Sequence, residues 1–286
     1  IHKKNWPIKL KTVLLIGSSG FLGSHLKKRL KKTYKLICVN RKNQFDISNF
    51  KKVKILLNRK IDFVINLSGQ VSTKKNMLKT IIKGNENIIN AIKNKKIKPV
   101  VYFISTTLVY GFSNTLLNEK SKLAPSLSYS KIKKISELHY LKSSLNFKIL
   151  RVANVYSPKK NGIVKYLINS FLSKKKLNVT NIKSYRNYIH VDDFTNIVKK
   201  MLRKKLNHNI YNLGYENFSI QELIKIIETK FKSKLNYKNK NYKLSVISSH
   251  KISKPKLFSE IRYSPRVKMK KFLIKEIQNE TWFFKK

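Results

Sequence analysis

Acidic residues are scarce in this 286-residue chain, which contains only four Asp and nine Glu against 64 Lys and Arg. The resulting net charge of +51 would ordinarily favour a polyanionic partner, because clustered cations release counterions from phosphate backbones. Here, however, 56 of the cations are Lys, spread along the whole chain among many Asn and Ile. This pattern is typical of AT-biased codon usage, and we expect nucleic acid not to be a main partner.

Cysteine and long apolar runs are also scarce. The single Cys38, in the apolar run "KLICV", excludes an internal disulfide and a cysteine-rich metal site, and it favours a reducing compartment. No apolar run approaches the roughly 20 residues needed to cross a bilayer, and "IHKKNWPIKLK" lacks the apolar core of a signal peptide. We expect a cytoplasmic protein with no membrane partner and no metal. The chain begins at Ile1 rather than Met, which leaves the number of upstream residues open.

Short apolar runs alternate with helix-like segments from "TVLLIG" to "FKILRVANV". This alternation predicts an α/β fold with a Rossmann-type doubly wound parallel sheet. The rhythm weakens after "NVYSP", which predicts a smaller, interleaved C-terminal α/β substrate lobe. We place the NAD(P)-binding domain at 11–156, with 188–214 returning to it, and the substrate lobe at 157–187 and 215–286.

Glycine is rare, yet three of the eight glycines fall within "GSSGFLG". Gly17, Gly20 and Gly23 follow an apolar run and precede a helical segment. At this position a tight turn, close approach of the backbone to pyrophosphate and close helix packing each require a residue without Cβ. The helix N-terminus also stabilises an anion. The segment therefore predicts a dinucleotide-binding loop.

The spacing Tyr-x-x-x-Lys occurs twice, in a chain where about three copies are expected by chance. The copy Tyr156/Lys160 contains Pro158, which would disrupt a helix that holds both side chains on one face. In Tyr129/Lys133 the lysine would lie one helical turn from the tyrosine. Tyrosine, with an ordinary pKa of about 10, is a weak base unless a nearby cation stabilises its phenolate. We interpret this pair as residues that carry out proton transfer. The alternative is an exposed helical Tyr/Lys pair.

Several segments together carry a family resemblance: the G-x-x-G-x-x-G spacing of "GSSGFLG", then "FDISN", "DFVINLSG", "STTLVYG", "YSKIKKISE", "RVANVYSP", "RNYIHVDD" and "YNLG". With them the chain resembles, over nearly all its length, an extended short-chain dehydrogenase/reductase of the NAD-dependent epimerase/dehydratase family. All four aspartates, Asp46, Asp62, Asp192 and Asp193, fall inside these segments. Their placement supports the resemblance independently.

The resemblance implies hydride transfer at one carbinol, with Tyr129 as acid and base. Lys133 would bind the nicotinamide ribose and lower the pKa of Tyr129, and Thr106 would hydrogen-bond the reacting oxygen. The implied substrate-binding residues are Thr107, Asn154 and Arg186, although a salt bridge from Arg186 to Asp192 or Asp193 is the alternative. His190 is expected to be a core residue. The implied cofactor-binding residues are Gly17, Ser19, Gly20, Phe21, Leu22, Gly23, Asn40, Arg41, Asp46, Ile47, Leu67, Ser68 and Lys133.

This chain differs from some subgroups of the family beside Thr106. These differences limit which reaction on a nucleotide-sugar the resemblance implies. Dehydratase relatives carry Asp-Glu directly after the catalytic threonine, where this chain has Thr107 and Leu108. Combined epimerase-reductases carry Cys at the position of Leu108. The activities that remain possible are those of a 4-keto reductase and a 4-epimerase. Asn40 and Arg41 replace an acidic residue at the end of the second strand and predict a modest preference for NADP over NAD; the alternative is that Arg41 is one more exposed cation.

The resemblance also implies a homodimer, paired through the helices around "MLKTIIKGNENIINAIKN" and "SKIKKISELHYLKSS". Two other functions stay open. One is a non-catalytic member of this fold that binds RNA or regulates a partner through its basic surface. The other is a 3β-hydroxysteroid-type alcohol dehydrogenase. The Thr106/Tyr129/Lys133 set favours an enzyme, and Arg186 with Asn154 favours a nucleotide-sugar.

Overall fold

A computed structural model describes residues 10–69, 73–240 and 249–283. The chain divides into two compact units, the first within 1–104 and 135–149 and the second within 105–134 and 150–286. The predicted domain ranges are assigned by cofactor binding and substrate binding, and they stay a prediction. Some residues of the predicted domains lie outside the described residues, namely 70–72, 241–248 and 284–286. The same holds for most of "IHKKNWPIKLK".

Strands and helices alternate through the first half of the chain, as the apolar pattern predicts. The strands are β1 Thr12–Ile16, β2 Lys35–Val39, β3 Phe63–Asn66, β4 Val100–Thr106, β5 Phe147–Val152, β6 Asn154–Tyr156, β7 Leu177–Thr180, β8 Tyr185–His190, β9 Ile210–Leu213, β10 Glu216–Ser219 and β11 Tyr237–Lys240. The helices are α1 Phe21–Leu30, α2 Phe50–Leu57, α3 Lys74–Met77, α4 Gly84–Lys93, α5 Ser128–Leu141, α6 Ile163–Leu172, α7 Val191–Met201, α8 Ile220–Phe231, α9 Leu257–Glu260 and α10 Met269–Phe283.

The main sheet has the strand order β2-β1-β3-β4-β5-β9. β1 pairs in parallel with both β2 and β3, and β3 pairs in parallel with β4. Val13, Leu14 and Leu15 of β1 are fully buried, as expected for a continuous apolar strand covered on both faces. The predicted Rossmann-type α/β fold is confirmed.

One predicted helix differs from expectation. The helix-like segment "NMLKTIIKGNENIINAIKN" is not regular throughout, because a π-helical stretch, Leu78–Lys83, separates α3 from α4. Gly84 follows it and packs closely on Ile47, since a Cβ there would lie 2.8 Å from the Ile47 Cγ2 atom. The amide of Asn85 donates a hydrogen bond to the carbonyl of Ile81 at 2.5 Å. The contact with Ile47 joins a residue distant in sequence to the helix, and both contacts accompany the local change of pitch.

The second unit contains two smaller sheets. β8 lies between β10, with which it is antiparallel, and β6, with which it is parallel. β7 pairs in parallel with β11. A buried apolar cluster joins α6, α8 and α10, and it includes Leu167, Leu223 and Leu273. In the ranges that the structure covers, no helix has the length and apolarity required to span a bilayer.

Candidate active site

The glycine loop lies between β1 and α1 in the first unit. Gly17 has a φ of +83°, and a Cβ there would lie 3.2 Å from the carbonyl carbon of Leu67. A Cβ on Gly23 would collide with the carbonyl oxygen of Gly17. The described residues leave open space beside Gly20, since the Gly17 oxygen, at 3.4 Å, is their only atom near its would-be Cβ. The loop therefore has the tight turn, the close helix packing and the free approach that a pyrophosphate group requires.

A cavity of about 330 Å³ adjoins this loop. It brings together most of the predicted cofactor-binding residues of the first unit, although Phe21, Leu22 and Gly23 lie in the first turn of α1 and do not line it. Sequence reasoning missed four lining residues, Ile16, Phe45, Gly69 and Thr80. The predicted lining residues are Gly17, Ser19, Gly20, Asn40, Arg41, Asp46, Ile47, Leu67 and Ser68.

Asn40 and Arg41 follow β2 at one side of this cavity. The Asn40 side-chain oxygen accepts a hydrogen bond from the backbone N–H of Lys42 at 2.8 Å, and its amide donates to the Ser18 hydroxyl at 3.1 Å. The Arg41 guanidinium donates to the Thr80 hydroxyl at 3.1 Å. The amide of Asn40 and the hydrogen-bonded guanidinium of Arg41 thus occupy the place where a ribose-binding carboxylate would otherwise stand.

Asp46 is the carboxylate that lines the cavity. It accepts hydrogen bonds from the backbone N–H of Ser48 at 2.9 Å and from its hydroxyl at 2.8 Å, and the Lys79 ammonium lies 3.1 Å away. Burial favours the neutral acid, but these contacts outweigh it and lower the pKa of Asp46. Asp46 is therefore ionised and already paired at neutral pH.

The second unit contains the threonines that follow the apolar run of β4. The Thr106 hydroxyl accepts a hydrogen bond from the backbone N–H of Leu108 at 3.3 Å and caps a short 3-10 turn, Thr107–Tyr110. Thr106 and Thr107 are both buried. The turn ends at Gly111, whose φ is +76° and whose would-be Cβ would collide with the carbonyl oxygen of Ala124. The end of β4 is therefore held in a fixed conformation.

Tyr129 and Lys133 lie one turn apart at the start of α5. The Lys133 ammonium is 5.7 Å from the centre of the Tyr129 ring. Lys133 is only 2% exposed, which does not fit an exposed Tyr/Lys pair. Burial raises the pKa of Tyr129 to about 12. This effect opposes the lowering of the pKa that is expected from Lys133, so the phenol keeps its proton at neutral pH.

A second cavity, of about 480 Å³, lies within the second unit. It brings together Asn154 and Arg186, two of the predicted substrate-binding residues, whereas Thr107 does not line it. Lys160, Ser184 and Tyr188 also line this cavity and were not predicted. Its lining residues include two cations and no carboxylate. This distribution of charge suits an anionic ligand.

Arg186 is held in this cavity by its own neighbours. Its guanidinium donates to the carbonyl of Tyr185 at 2.8 Å and lies 5.0 Å from the centre of the Phe112 ring. Burial lowers the pKa of Arg186. The Asp193 carboxylate, one of the two expected alternative partners, accepts hydrogen bonds from the Tyr263 hydroxyl and from two backbone N–H groups.

His190 is buried, and its ring packs against the rings of Tyr156 and Phe272. Its Nδ1 atom accepts a hydrogen bond from the backbone N–H of Asp192 at 3.2 Å. These contacts fit the core role expected from the sequence. Among the residues described here, no group of three His, Cys, Asp or Glu could hold a metal ion.

Comparison with known proteins agrees with this geometry. The family model for the NAD dependent epimerase/dehydratase family matches residues 13–214. A dTDP-D-glucose 4,6-dehydratase from Dictyostelium discoideum is 31% identical over 264 residues, which cover 75% of this chain and 60% of that protein. A GDP-6-deoxy-D-talose 4-dehydrogenase from Aggregatibacter actinomycetemcomitans is 26% identical, covering 74% of this chain and 78% of that protein. This chain thus spans about three fifths of the length of the first relative.

Among solved structures, a UDP-glucuronic acid 4-epimerase from Bacillus cereus, in complex with UDP-glucuronic acid and NAD, superposes with a TM-score of 0.80. The identity is 21%, and the match covers 95% of this chain and 99% of the other. At this identity the likeness shows the fold. The family match covers most of the chain and includes the glycine loop, both threonines, Tyr129 and Lys133. The chain therefore belongs to the NAD-dependent epimerase/dehydratase family, as its sequence motifs predict.

Proposed function

We propose that the chain is a cytoplasmic NAD(P)-dependent oxidoreductase that acts on a nucleotide-sugar at one carbinol, sugar C4, as a 4-keto reductase or a 4-epimerase. The observation that carries this proposal is the pairing of Tyr129 with the buried Lys133 on one turn of α5. A binding module has no need of a buried ammonium held beside a tyrosine. The cavity with Asn154 and Arg186 supports an anionic, nucleotide-linked substrate.

In the proposed reaction a nicotinamide dinucleotide, when bound, would supply or accept the hydride. Tyr129 gives a proton to the substrate oxygen during reduction and removes it during oxidation. Thr106 hydrogen-bonds the same oxygen. The positive charge of Lys133 stabilises the phenolate that forms when Tyr129 gives up its proton. The free approach to Gly20 and the donors of the glycine loop suit the pyrophosphate of the dinucleotide.

Dehydration is disfavoured by the residues next to Thr106. Elimination of water from the sugar requires an acid and a base beside the ring, and dehydratase relatives carry Asp-Glu at this point. Thr107 and Leu108 stand there in this chain. The Dictyostelium relative is a 4,6-dehydratase, but we infer that this chain stops at oxidation or reduction.

The state of Tyr129 fits the reductive direction. With its pKa raised to about 12 by burial, the phenol is protonated at neutral pH, which is the form that donates a proton to a ketone. The relative from Aggregatibacter is a 4-dehydrogenase, and its name supports oxidation or reduction at C4. The epimerase alternative stays open, because oxidation and reduction at C4 in 4-epimerisation would use the same Tyr129 and Lys133 pair.

The test is turnover of the purified protein with UDP-, dTDP- and GDP-sugars and their 4-keto derivatives, each with both cofactors. We expect oxidation of NADPH or NADH by at least one 4-keto sugar. No turnover of any substrate, together with an RNA complex that survives physiological salt, would support the non-catalytic alternative instead.

We further propose a modest preference for NADP(H), set by Arg41. A guanidinium can meet the 2′-phosphate of NADP with charge-assisted hydrogen bonds, each contributing about 1.5 to 3 kcal/mol. The variant Arg41→Ala is therefore expected to weaken NADPH binding by at least about tenfold and to leave NADH binding nearly unchanged. Fluorescence titration of both reduced cofactors measures this difference.

The matched control is Lys42→Ala, which removes the same charge from an exposed neighbour that does not line the cavity. It is expected to change both affinities by less than about twofold. Unchanged NADPH affinity in Arg41→Ala, or tighter binding of NADH by the unaltered protein, would refute the preference and favour 4-epimerisation.

We also propose a homodimer that uses the C-terminal half of α5. Ile135, Leu138 and Leu141 are 40%, 41% and 45% exposed at a spacing of three residues, which forms an apolar stripe on the helix. Light scattering at micromolar concentration should give the mass of a dimer, and Leu138→Glu should give that of a monomer. Ile55→Glu, on an equally apolar but separate exposed position of α2, should leave the dimer intact. A monomeric mass for the unaltered chain would contradict the proposal.

A further inference from the structure

We propose that Thr80, in the π-helical stretch Leu78–Lys83, is a determinant of cofactor preference because it positions Arg41 for the 2′-phosphate of NADP(H). This inference rests on the proposed function, and it adds a residue that lies 39 positions along the chain from Arg41. Thr80 would be a positioning residue, since its hydroxyl would act through the guanidinium of Arg41 rather than on the phosphate itself.

The backbone at Arg41 is fixed by a capped turn. Arg41 begins the short 3-10 turn Arg41–Asn43, and the Asn40 side chain accepts hydrogen bonds from the backbone N–H groups of Lys42 and Asn43. In return, the Asn43 side chain accepts one from the backbone N–H of Asn40 at 2.7 Å. This capping box fixes where the Arg41 side chain starts. It does not fix the guanidinium, because an exposed arginine side chain can adopt many rotamers.

Thr80 restrains the far end of the Arg41 side chain. Its hydroxyl accepts a hydrogen bond from the Arg41 guanidinium at 3.1 Å, and Thr80 itself is only 7% exposed. Both residues line the cavity beside the glycine loop. The five N–H donors of a guanidinium lie in one planar fork, so a bond from one of them restrains the whole plane. An arginine restrained in this way loses less conformational entropy when it binds a phosphate.

The helical segment that contains Thr80 is itself fixed to the wall of this cavity. The Lys79 ammonium lies 3.1 Å from the Asp46 carboxylate. The Asn87 amide donates a hydrogen bond to the carbonyl of Ile47 at 3.0 Å. Asp46 and Ile47 both line the cavity. Contacts on both sides of Thr80 therefore hold the π-helical stretch in place, as suits a local change of pitch that has a functional role.

The experiment measures binding of NADPH and of NADH to the full chain by fluorescence titration. Thr80→Val, which replaces the hydroxyl with a methyl group, should weaken NADPH binding about three- to tenfold. NADH affinity should change by less than about twofold. Thr80→Ala should give the same result, and Thr80→Ser, which keeps the hydroxyl, should retain most of the NADPH affinity. A purely structural role of Thr80 would change both affinities together.

The double variant Arg41→Ala/Thr80→Val tests whether Thr80 acts through Arg41. Once the guanidinium is absent, loss of the Thr80 hydroxyl should cause no further loss of NADPH affinity. The matched control is Thr33→Val, which removes a hydroxyl from a half-buried threonine of the same unit that does not line the cavity. It should leave both affinities within about twofold of those of the unaltered protein.

The outcomes separate this role of Thr80 from the proposed function. If Arg41→Ala weakens NADPH binding and Thr80→Val does not, the role of Thr80 is refuted while the NADP(H) preference stands. Equal losses of NADPH and NADH affinity in Thr80→Val, or a further loss in the double variant, would also refute it. If Arg41→Ala leaves NADPH affinity unchanged, the preference and the role of Thr80 are both refuted. If the unaltered protein binds neither cofactor, the oxidoreductase function is refuted as well.

Discussion

Replacing Tyr129 with phenylalanine is expected to lower turnover by roughly 10²- to 10⁴-fold, because only the proton-transferring oxygen is lost. The phenyl ring keeps its place on α5, one turn from the buried ammonium of Lys133. Dinucleotide affinity should therefore stay within a few-fold of that of the unaltered protein. Steady-state turnover with the substrate identified by screening, together with fluorescence titration of the cofactor, measures both quantities.

The control for this variant is Tyr237→Phe, which removes the same hydroxyl from a tyrosine that is 39% exposed on β11. Its turnover should be unchanged. Near-normal turnover of Tyr129→Phe would exclude Tyr129 from proton transfer. It would also leave the burial of Lys133 without a catalytic explanation.

The raised pKa of Tyr129 gives the same prediction a pH dependence. A group that donates a proton is active below its pKa and loses activity as the pH rises through it. With a pKa of about 12, the rate of ketone reduction should not fall between pH 7 and pH 9. A fall within this range would show that Lys133 lowers the pKa of Tyr129 more than burial raises it.

Much of the fold follows from local pattern. Continuous apolar runs such as "TVLLIG" predict buried parallel strands, and β1 is indeed buried along nearly its whole length. The π-helical stretch Leu78–Lys83 could not be predicted in this way, because the contacts around it come from far along the chain. The Ser136 hydroxyl, for example, donates to the carbonyl of Ile81 across 55 positions. A periodic pattern contains no information about such contacts.

The residues of the candidate site also differ in whether a local pattern could predict them. Gly17, Gly20 and Gly23 could be recognised because a fixed spacing reflects one local turn. Thr80, which accepts a hydrogen bond from Arg41, could not, because the two residues meet only in the folded chain. The sequence excludes Lys160 from a helical Tyr/Lys pair because Pro158 would disrupt the helix, and that exclusion is correct. The loop places Lys160 in the lining of a cavity, a position that helical periodicity does not describe.

The four aspartates show why a rare residue type need not be catalytic. All four lie in segments that resemble the family, yet two of them, Asp62 and Asp193, bind backbone N–H groups and line neither cavity. Asp62 accepts a hydrogen bond from the backbone N–H of Thr12 at 2.7 Å, at the start of β1. Asp193 accepts one from the Tyr263 hydroxyl at 2.6 Å and two from the backbone N–H groups of Arg266 and Val267, at 2.9 and 3.0 Å. In a chain with so few carboxylates, these positions are structural anchors.

Asp193→Asn should consequently lower the free energy of unfolding by on the order of 3 kcal/mol, because it removes a buried charge that accepts three hydrogen bonds. Asp193 is 1% exposed in the first turn of α7, and an amide group there would point at least one donor toward N–H groups that also donate. The control is Asp192→Asn, in which the same charge is lost from a side chain that is 56% exposed; it should cost less than about 1 kcal/mol. Urea denaturation followed by circular dichroism measures both values. Equal, small losses in the two variants would show that the segment after α9 holds its place without Asp193.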